Sequence, residues 1–241
     1  MRTILLTGIS KGIGFQIAKV LLESDYKIIG ISRTSSDALR SLITTYPNRL
    51  SFFKFDLANI SEIRDTLFKT HIGFNNPIHG LVNNAAIAYD DLATNMDVDK
   101  VHKMFQVNVY APMILTKYCI RHMILHQTQG SIIHMSSISA HTGYKGLSMY
   151  ASSKGAIEAF SKNIAREWGG KKIRSNCIVA GFSDTQMNQN LTTAQKTRIY
   201  NRNSLKEATN IHSIANTVRF LLSDKSNSIT GQNIHVDSGT I

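Results

Sequence analysis

A tyrosine and a lysine four residues apart, Tyr150 and Lys154, are suited by type and spacing to acid–base chemistry. The residues around them predict a helix over residues 149–168, and positions i and i+4 share one face of a helix. A free phenol titrates near pH ~10, and a cation beside it favours the phenolate, so we expect Lys154 to lower the pKa of Tyr150. The same spacing also occurs in amphipathic helices that have no catalytic function, so the pair needs support from other residues.

Two further polar residues could act with this pair. Ser137 lies at the end of a predicted strand, thirteen residues before Tyr150. The carboxyl ends of parallel strands are where α/β proteins bind ligands, so the Ser137 hydroxyl is a candidate for orienting a substrate. Its neighbour Ser136 is expected to be structural. Asn108 lies within a predicted helix and, taken by itself, could be any helix-interior asparagine.

A glycine-rich turn near the amino terminus predicts a phosphate-binding site. Gly8, Gly12 and Gly14 follow the first predicted strand and open the first predicted helix. We expect Gly8 to permit a tight turn, Gly12 to let a pyrophosphate approach the backbone, and Gly14 to let the helix pack closely on the sheet. The N–H groups at the helix start would bind the phosphates. A turn that only redirects the chain is the alternative, and the strand-to-helix context favours nucleotide binding.

The residues after the second predicted strand favour NADP over NAD. An acidic residue there would bind the ribose 2′-hydroxyl of NAD, but the chain has Ser32, Arg33 and Thr34 instead. The guanidinium of Arg33 can bind the 2′-phosphate of NADP, and Lys11 in the glycine-rich turn can reach the same phosphate. The alternative is that Arg33 is only a solvated loop charge.

The elements that must position these residues alternate between short apolar runs and longer amphipathic stretches, which is typical of a parallel sheet with helical crossovers. The predicted strands are residues 2–7, 27–32, 50–55, 78–83, 131–136, 173–179 and 234–236. The predicted helices are residues 12–24, 37–46, 60–70, 97–126 with a bend near Pro112, 149–168 and 211–223. A short helix is also expected from Thr192, since Thr192 and Gln195 have capping-box spacing. We therefore predict an α/β fold: one Rossmann domain over residues 1–241 whose doubly wound parallel sheet carries helices on both faces.

Composition limits the classes of protein this chain could be. Its 241 residues are 42% hydrophobic and 18% charged, as in a globular domain. Cys119 and Cys177 have neither redox nor metal-ligand spacing, so a disulfide scaffold is excluded. We expect neither a signal peptide nor a membrane span, and therefore a cytoplasmic protein. The formal net charge of +11 attracts anionic partners without identifying them.

Taken together, these motifs resemble the short-chain dehydrogenase/reductase family in its short, single-domain form. The family pattern Thr-Gly-x-x-x-Gly-x-Gly matches residues 7–14, and its Tyr-x-x-x-Lys pattern matches Tyr150 and Lys154. Further matches cover almost the whole chain: residues 83–86, Gly181 with Thr185 and Met187, and residues 230–232. Three positions depart from the family pattern: Ala180 stands in place of proline, and Ala86 and Ala140 stand in place of glycine.

The resemblance implies roles for the residues. Ser137 would polarise a substrate carbonyl, Tyr150 would donate the proton, Lys154 would hold the nicotinamide ribose, and Asn108 would use a helix distortion and a water to support the lysine. Asp56 would bind the adenine amino group, unless it only caps a turn. The implied cofactor-binding set is Gly8, Ser10, Lys11, Gly12, Ile13, Gly14, Arg33, Asp56, Leu57, Asn84, Ala85, Tyr150, Lys154, Gly181 and Thr185.

The resemblance is greatest to 3-oxoacyl-[acyl-carrier-protein] reductases, which implies NADPH-dependent reduction of a 3-oxoacyl thioester of acyl-carrier protein or coenzyme A. A basic cluster could receive such an anionic carrier, or it could be a solvated face: Lys162, Arg166, Lys171, Lys172 and Arg174. Thr128 occupies the place of a second carrier-binding cation, which argues against carrier recognition. The resemblance further implies a homotetramer and a substrate loop around residues 181–205.

Other readings stay open at this point. A reductase of a sugar, polyol or secondary metabolite would need the same site. A non-catalytic NADP-binding regulator or a nucleic-acid binder is a more distant alternative, because no nucleic-acid motif accompanies the positive charge. His122 and His126 have ligand spacing on a helix, but no acid or cysteine near them completes a metal site, so no metal is expected.

Overall fold

Among residues 1–184 and 192–241, which the computed structural model describes, seven parallel strands form a single sheet. In chain order these strands are β1 (Thr3–Thr7), β2 (Lys27–Ser32), β3 (Leu50–Lys54), β4 (Gly80–Asn83), β5 (Gly130–Ser137), β6 (Ile173–Ala180) and β7 (Asn233–Val236). Their order across the sheet is β3-β2-β1-β4-β5-β6-β7, and each neighbouring pair is parallel. The predicted doubly wound sheet is confirmed.

Helices connect the strands and cover both faces of the sheet. The α-helices of the described residues are α1 (Gly12–Leu22), α2 (Asp37–Thr45), α3 (Val98–Phe105), α4 (Ala111–Leu125), α5 (Ser148–Trp168), α6 (Thr193–Tyr200) and α7 (Ile211–Leu222). Two segments, Ile63–Ile72 and Gln106–Tyr110, have the wider π-type winding. No helix in this described part of the chain has the length and apolar character needed to cross a bilayer.

The sheet separates two apolar layers. Successive residues of a strand point to opposite faces, so Leu5 and Leu6 of β1 are both fully buried but belong to different clusters. Leu6 packs in the layer formed with α1 and α7, and Leu5 packs in the layer formed with α4 and α5. Because both faces of the sheet are buried, the strand sequences are continuous apolar runs and do not alternate between apolar and polar residues.

The strand order reverses beside β1. The chain runs outward from β1 through β2 to β3 and then crosses to β4 on the other side, where Leu5 pairs with Leu81. At such a reversal the connections after the two central strands leave in opposite directions and open a crevice at their carboxyl ends. This edge carries the glycine-rich turn after β1 and the polar residues after β4, β5 and β6.

The long helix predicted over residues 97–126 is divided in the structure. The winding widens at Gln106–Tyr110, between α3 and α4, and not at Pro112. Pro112 lies in the first turn of α4, a position where proline fits a helix because its missing N–H is not needed there. The predicted capping box at the start of α6 is confirmed by the bonds between Thr192 and Gln195.

Candidate active site

The phenol of Tyr150 and the hydroxyl of Ser137 meet at the carboxyl edge of the sheet. Ser137 is the last residue of β5, and Tyr150 lies in the first turn of α5. The helix packs against β5 and β6, which turns the start of α5 toward the end of β5. The side chain of Ser137 lies close enough to the phenol to lower its pKa. Two residues that are distant in sequence are thus joined at the ligand-binding edge.

The pKa of Tyr150 departs from the direction predicted by the sequence. Burial raises the pKa of Tyr150 to about 12, and the negative charge of Asp90 adds to the rise, while Ser137 opposes it. Lys154 was expected to lower this pKa, but its ammonium lies 5.6 Å from the centroid of the tyrosine ring and is directed elsewhere. Burial therefore has the larger effect, and the phenol is protonated at neutral pH, as a proton donor must be.

Lys154 is a buried cation held beside this pair. Its side chain is 4% exposed, and Nζ donates a hydrogen bond to the carbonyl oxygen of Met135 at 2.8 Å. Burial lowers the pKa of Lys154 to about 8, and electrostatic interactions with Cys177 and Glu158 act in the opposite direction. One N–H of the ammonium is used by Met135, so the group can still donate to a ligand in the cleft.

Asn108 lies in the π-type segment, so the predicted helix distortion is present. Its Oδ1 accepts a hydrogen bond from Ile87 N at 2.9 Å, and its Nδ2 donates to Ile87 O at 2.8 Å. The same Nδ2 donates to Ser153 Oγ at 3.1 Å, and Ser153 donates to Tyr150 O at 2.7 Å. Asn108 therefore joins the loop after β4 to the helix of Tyr150. Ser153 was not among the predicted site residues, although its position three residues after Tyr150 places it near the same helix face.

The glycine-rich turn has the shape expected of a phosphate cradle. Gly8 has a φ of +73°, a left-handed conformation that favours glycine. A Cβ added to Gly14 would lie 2.1 Å from Gly8 O and 2.5 Å from Asn84 Nδ2, so Gly14 is required by the turn itself as much as by packing on the sheet. The side chain of Lys11 makes no cap bond at the start of α1, and the first turn holds no acidic residue. The N–H groups of this turn can thus receive phosphate.

Asn84 and Ala85 brace the cradle from β4. Asn84 Nδ2 donates to Thr7 O at 2.9 Å, and the backbone N–H groups of Asn84 and Ala85 both donate to Thr7 Oγ1 at 3.0 Å. These bonds connect the ends of β1 and β4, the two strands on either side of the topological reversal. A nicotinamide dinucleotide laid across the reversal would contact this pair.

The residues expected at the adenosine end lie on neighbouring loops. Arg33 follows β2 and Lys11 precedes α1, and both side chains are exposed. Among the ion pairs between described residues, none includes either cation. The Ser36 hydroxyl donates to Ser10 O at 2.7 Å and holds the two loops together.

Four other residues were predicted to contact the cofactor: Asp56, Leu57, Gly181 and Thr185. Asp56 Oδ1 accepts a bond from Ala58 N at 3.0 Å, which is the turn-capping arrangement named as its alternative, and Leu57 beside it is buried. Gly181 directly follows β6, where an added Cβ would lie 2.2 Å from Thr209 Oγ1. Thr185, with Met187, lies outside the described residues.

One member of the basic cluster is not at the surface. Arg174 lies on β6 with 9% exposure and donates to the carbonyl oxygens of Leu221 at 2.8 Å and Ser223 at 3.3 Å. It therefore cannot receive an anionic carrier, and the prediction was wrong for this residue because a strand position next to α7 buries it. The other four cations, Lys162, Arg166, Lys171 and Lys172, are exposed.

The two spaced histidines have structural partners. His122 Nδ1 lies 3.4 Å from Asn76 O, and His126 Nε2 lies 2.7 Å from Phe74 O. Both contacts join the carboxyl end of α4 to the turn that follows the π-type segment Ile63–Ile72. Within residues 1–184 and 192–241, no three histidine, cysteine or acidic side chains are grouped as metal ligands.

Known proteins match this chain over nearly its whole length. A family model described as enoyl-(acyl carrier protein) reductase matches residues 8–240. The 3-oxoacyl-[acyl-carrier-protein] reductase of Chlamydia pneumoniae is 32% identical over 240 residues, covering 99% of this chain and 96% of the relative. The L-xylulose reductase of Caenorhabditis elegans is 29% identical over 240 residues, covering 99% and 95%. Among solved structures, 4-hydroxyisoleucine dehydrogenase complexed with NADH has a TM-score of 0.92 at 25% identity, covering 100% of this chain and 98% of that chain.

Proposed function

The chain belongs to the short-chain dehydrogenase/reductase family of oxidoreductases, and on this basis we propose that it is an NADPH-dependent carbonyl reductase. The proposal rests mainly on one observation: the side chains of Ser137 and Tyr150 lie together near buried Lys154. They are at the edge of the sheet where the glycine-rich turn also lies. This arrangement supplies a proton donor and an oxyanion partner beside a dinucleotide cradle.

The mechanism assigns one task to each side chain. NADPH, when bound, supplies the hydride that reduces the carbonyl carbon. Tyr150 donates its phenolic proton to the carbonyl oxygen, and Ser137 donates a hydrogen bond to the same oxygen as negative charge develops on it. Lys154 keeps a positive charge beneath the site and holds the nicotinamide ribose together with Tyr150. Asn108 fixes the start of α5 through Ser153.

The preference for NADP is proposed from the chain's own residues. Lys11 and Arg33 provide two exposed cations near the place where a 2′-phosphate would lie, and no acidic residue stands at the end of β2 to bind a 2′-hydroxyl. The similar 4-hydroxyisoleucine dehydrogenase was solved with NADH.

We propose a 3-oxoacyl thioester as the substrate, reduced to the 3-hydroxyacyl form. The relative from Chlamydia pneumoniae is named as a reductase of this substrate class, and the exposed pair Lys171 and Lys172 could attract an anionic carrier protein or coenzyme A. A sugar or polyol is the second candidate, favoured by the comparable identity of L-xylulose reductase.

Residues 181–205 are proposed to form the substrate loop. The carboxylate of Asp184, after β6, accepts a hydrogen bond from Tyr200 Oη at 2.6 Å and forms an ion pair with Lys196 at 2.8 Å. These bonds attach α6 to the segment that follows β6 at the carboxyl edge of the sheet. We propose in addition that the protein acts as a homotetramer, as the family resemblance implies. The cytoplasmic location stays a prediction.

The experiment that tests the function measures NADPH oxidation against 3-oxoacyl thioesters of carrier protein and coenzyme A, keto sugars, quinones and simple ketones, with NADH in parallel. The proposal expects NADPH to be preferred and a 3-oxoacyl thioester to give the highest kcat/KM. Highest activity with a keto sugar would replace the substrate assignment. Absence of reduction across the panel would contradict the reductase assignment itself.

A further inference from the structure

Glu158 is a buried carboxylate to which the mechanism above gives no task. It is 7% exposed and lies four residues beyond Lys154 on α5, so Tyr150, Lys154 and Glu158 occupy one face of the helix. A carboxylate removed from water costs much free energy unless it is paired and hydrogen-bonded. Its surroundings therefore have to offset that cost.

Side chains from two strands and a turn converge on this carboxylate. Oε1 accepts hydrogen bonds from Ser136 Oγ of β5 and from His141 Nε2, the latter at 3.0 Å. Oε2 accepts a bond from Asn233 Nδ2 of β7 at 2.6 Å. The ring of His141 packs edge-on against His235, with 4.9 Å between centroids. Both oxygens of the buried carboxylate therefore have hydrogen-bond partners.

The contact with Ser136 is part of a register between β5 and α5. Three consecutive residues at the end of β5 each meet one residue of the α5 face. Met135 O accepts from Lys154 Nζ at 2.8 Å, Ser136 binds Glu158, and Ser137 acts on Tyr150. The bond from Ser136 therefore sits between the partners of Lys154 and Tyr150. A loss of this bond would loosen the strand end that carries Ser137.

The charge of Glu158 also acts on Lys154. Burial lowers the pKa of Lys154, and Cys177 and Glu158 oppose this fall. Burial also raises the pKa of the Cys177 thiol to about 12, so that thiol carries no charge where Lys154 titrates. The carboxylate of Glu158, one helical turn beyond Lys154 on α5, is therefore the group that can offset the positive charge. The other titratable groups that face the ammonium are His134 of β5 and the phenol of Tyr150. His141 faces the carboxylate, and His235 lies behind His141.

We propose that Glu158 is a positioning residue: its carboxylate keeps Lys154 protonated and holds the end of β5 against α5, so that Ser137, Tyr150 and Lys154 stay in register. The role of Glu158 in catalysis rests on the proposed function, whereas the effect of Glu158 on the charge of Lys154 does not. The two can therefore be tested separately.

The test is an NMR titration of the whole protein labelled with 13C at the lysine ε-carbon. The Lys154 signal is assigned by its loss in Lys154→Arg. In Glu158→Gln the titration midpoint of Lys154 should fall by about one pH unit or more, the scale expected for removing an opposite charge nearby. Ser136→Ala removes a hydrogen bond but no charge and should leave the midpoint close to wild type.

An unchanged midpoint in Glu158→Gln would overturn the proposal, and so would an equal fall in Ser136→Ala. If Glu158→Gln does not fold, the double variant Glu158→Met with Lys154→Met is compared with Glu158→Met alone. The proposal expects the double variant to unfold at a higher temperature, because the buried cation is no longer unpaired. A double variant no more stable than the single one contradicts it.

Activity gives the second readout. The measurement is the pH dependence of kcat on a substrate that the wild type reduces. In both proteins kcat should fall at alkaline pH, and in Glu158→Gln this fall should occur at a lower pH than in the wild type. KM for NADPH should change little. A lower kcat with an unshifted profile would indicate a purely structural role and overturn the proposal. If the titration midpoint of Lys154 shifts in Glu158→Gln but the wild type reduces no carbonyl of the panel, the proposed function is refuted and the inference about Lys154 stands.

Discussion

The side-chain amide of Asn108 donates a hydrogen bond to the hydroxyl of Ser153 at 3.1 Å, joining the π-type segment to the helix that carries Tyr150. Asn108 is 3% exposed and Ser153 is fully buried, so neither group can exchange this partner for water. The backbone of Ile87 supplies the remaining partners of the amide. The start of α5 is therefore held from the loop after β4.

Ser153→Ala should destabilise the fold by about 1–3 kcal/mol, because it leaves the amide of Asn108 short of a buried partner. It should also lower kcat, since the first turn of α5 loses a support. Ser152→Ala is the matched control: Ser152 is exposed and its hydroxyl bonds only Ser148 O of its own helix. Thermal unfolding and kcat of the two variants check the prediction, and equal effects would contradict it.

Gly14→Ala should abolish dinucleotide binding, because the added methyl group would lie 2.1 Å from Gly8 O and 2.5 Å from Asn84 Nδ2. Gly143→Ala is the control, since nothing lies within 4 Å of a Cβ at that glycine. Titration of the protein with NADPH, followed by nicotinamide fluorescence, measures the effect. Wild-type affinity in Gly14→Ala would show that the turn does not form the cradle.

Arg33→Ala and Lys11→Ala should each raise KM for NADPH by about 10- to 100-fold, the range for a lost charge-assisted hydrogen bond to phosphate. KM for NADH should change little, because NADH lacks the 2′-phosphate. Arg40→Ala serves as the control, since Arg40 is exposed on α2 and paired with Asp37. If the ratio of the two KM values does not change in either variant, the proposed cofactor preference is refuted.

Folding stability should fall in acid because of His134. This histidine is fully buried on β5, and burial, with a smaller contribution from the charge of Lys154, lowers its pKa to about 3. The unfolded chain takes up the proton near pH ~6.5 and the folded chain does not, so stability falls as the pH falls from that value toward about 3.

Replacing His134 with glutamine should make unfolding free energy less dependent on pH across this window. Urea unfolding at several pH values measures the slope for both proteins. An identical slope in His134→Gln would contradict the assignment of the acid sensitivity to this residue, whatever the absolute stability of the variant.

The fold and the placement of the site could be predicted because they depend on local signals. Apolar runs and amphipathic stretches set the order of strands and helices, and parallel connections bring all strand ends to one edge. Gly8, Ser137 and Tyr150 could be assigned to that edge from the strand or helix on which each lies. The helix distortion at Asn108 was expected from the family resemblance and not from the residue itself.

The remaining features depend on contacts between residues far apart in sequence. The bonds of Asn108 to Ile87 and of Ser136 to Glu158 span 21 and 22 residues, and no local pattern marks them. Arg174 looked like a surface cation because its burial depends on α7, 37 or more residues later in the chain. The pKa of Tyr150 was predicted in the wrong direction because the extent of its burial is a tertiary property.

The proposed mechanism is tested most directly by two measurements on Tyr150→Phe: turnover with the best substrate of the panel and the dissociation constant for NADPH. We predict a fall in kcat of at least ~10²-fold, because the proton donor is lost, with NADPH binding close to wild type. A variant that keeps most of its turnover would show that Tyr150 is not the proton donor, and the proposed mechanism would be contradicted.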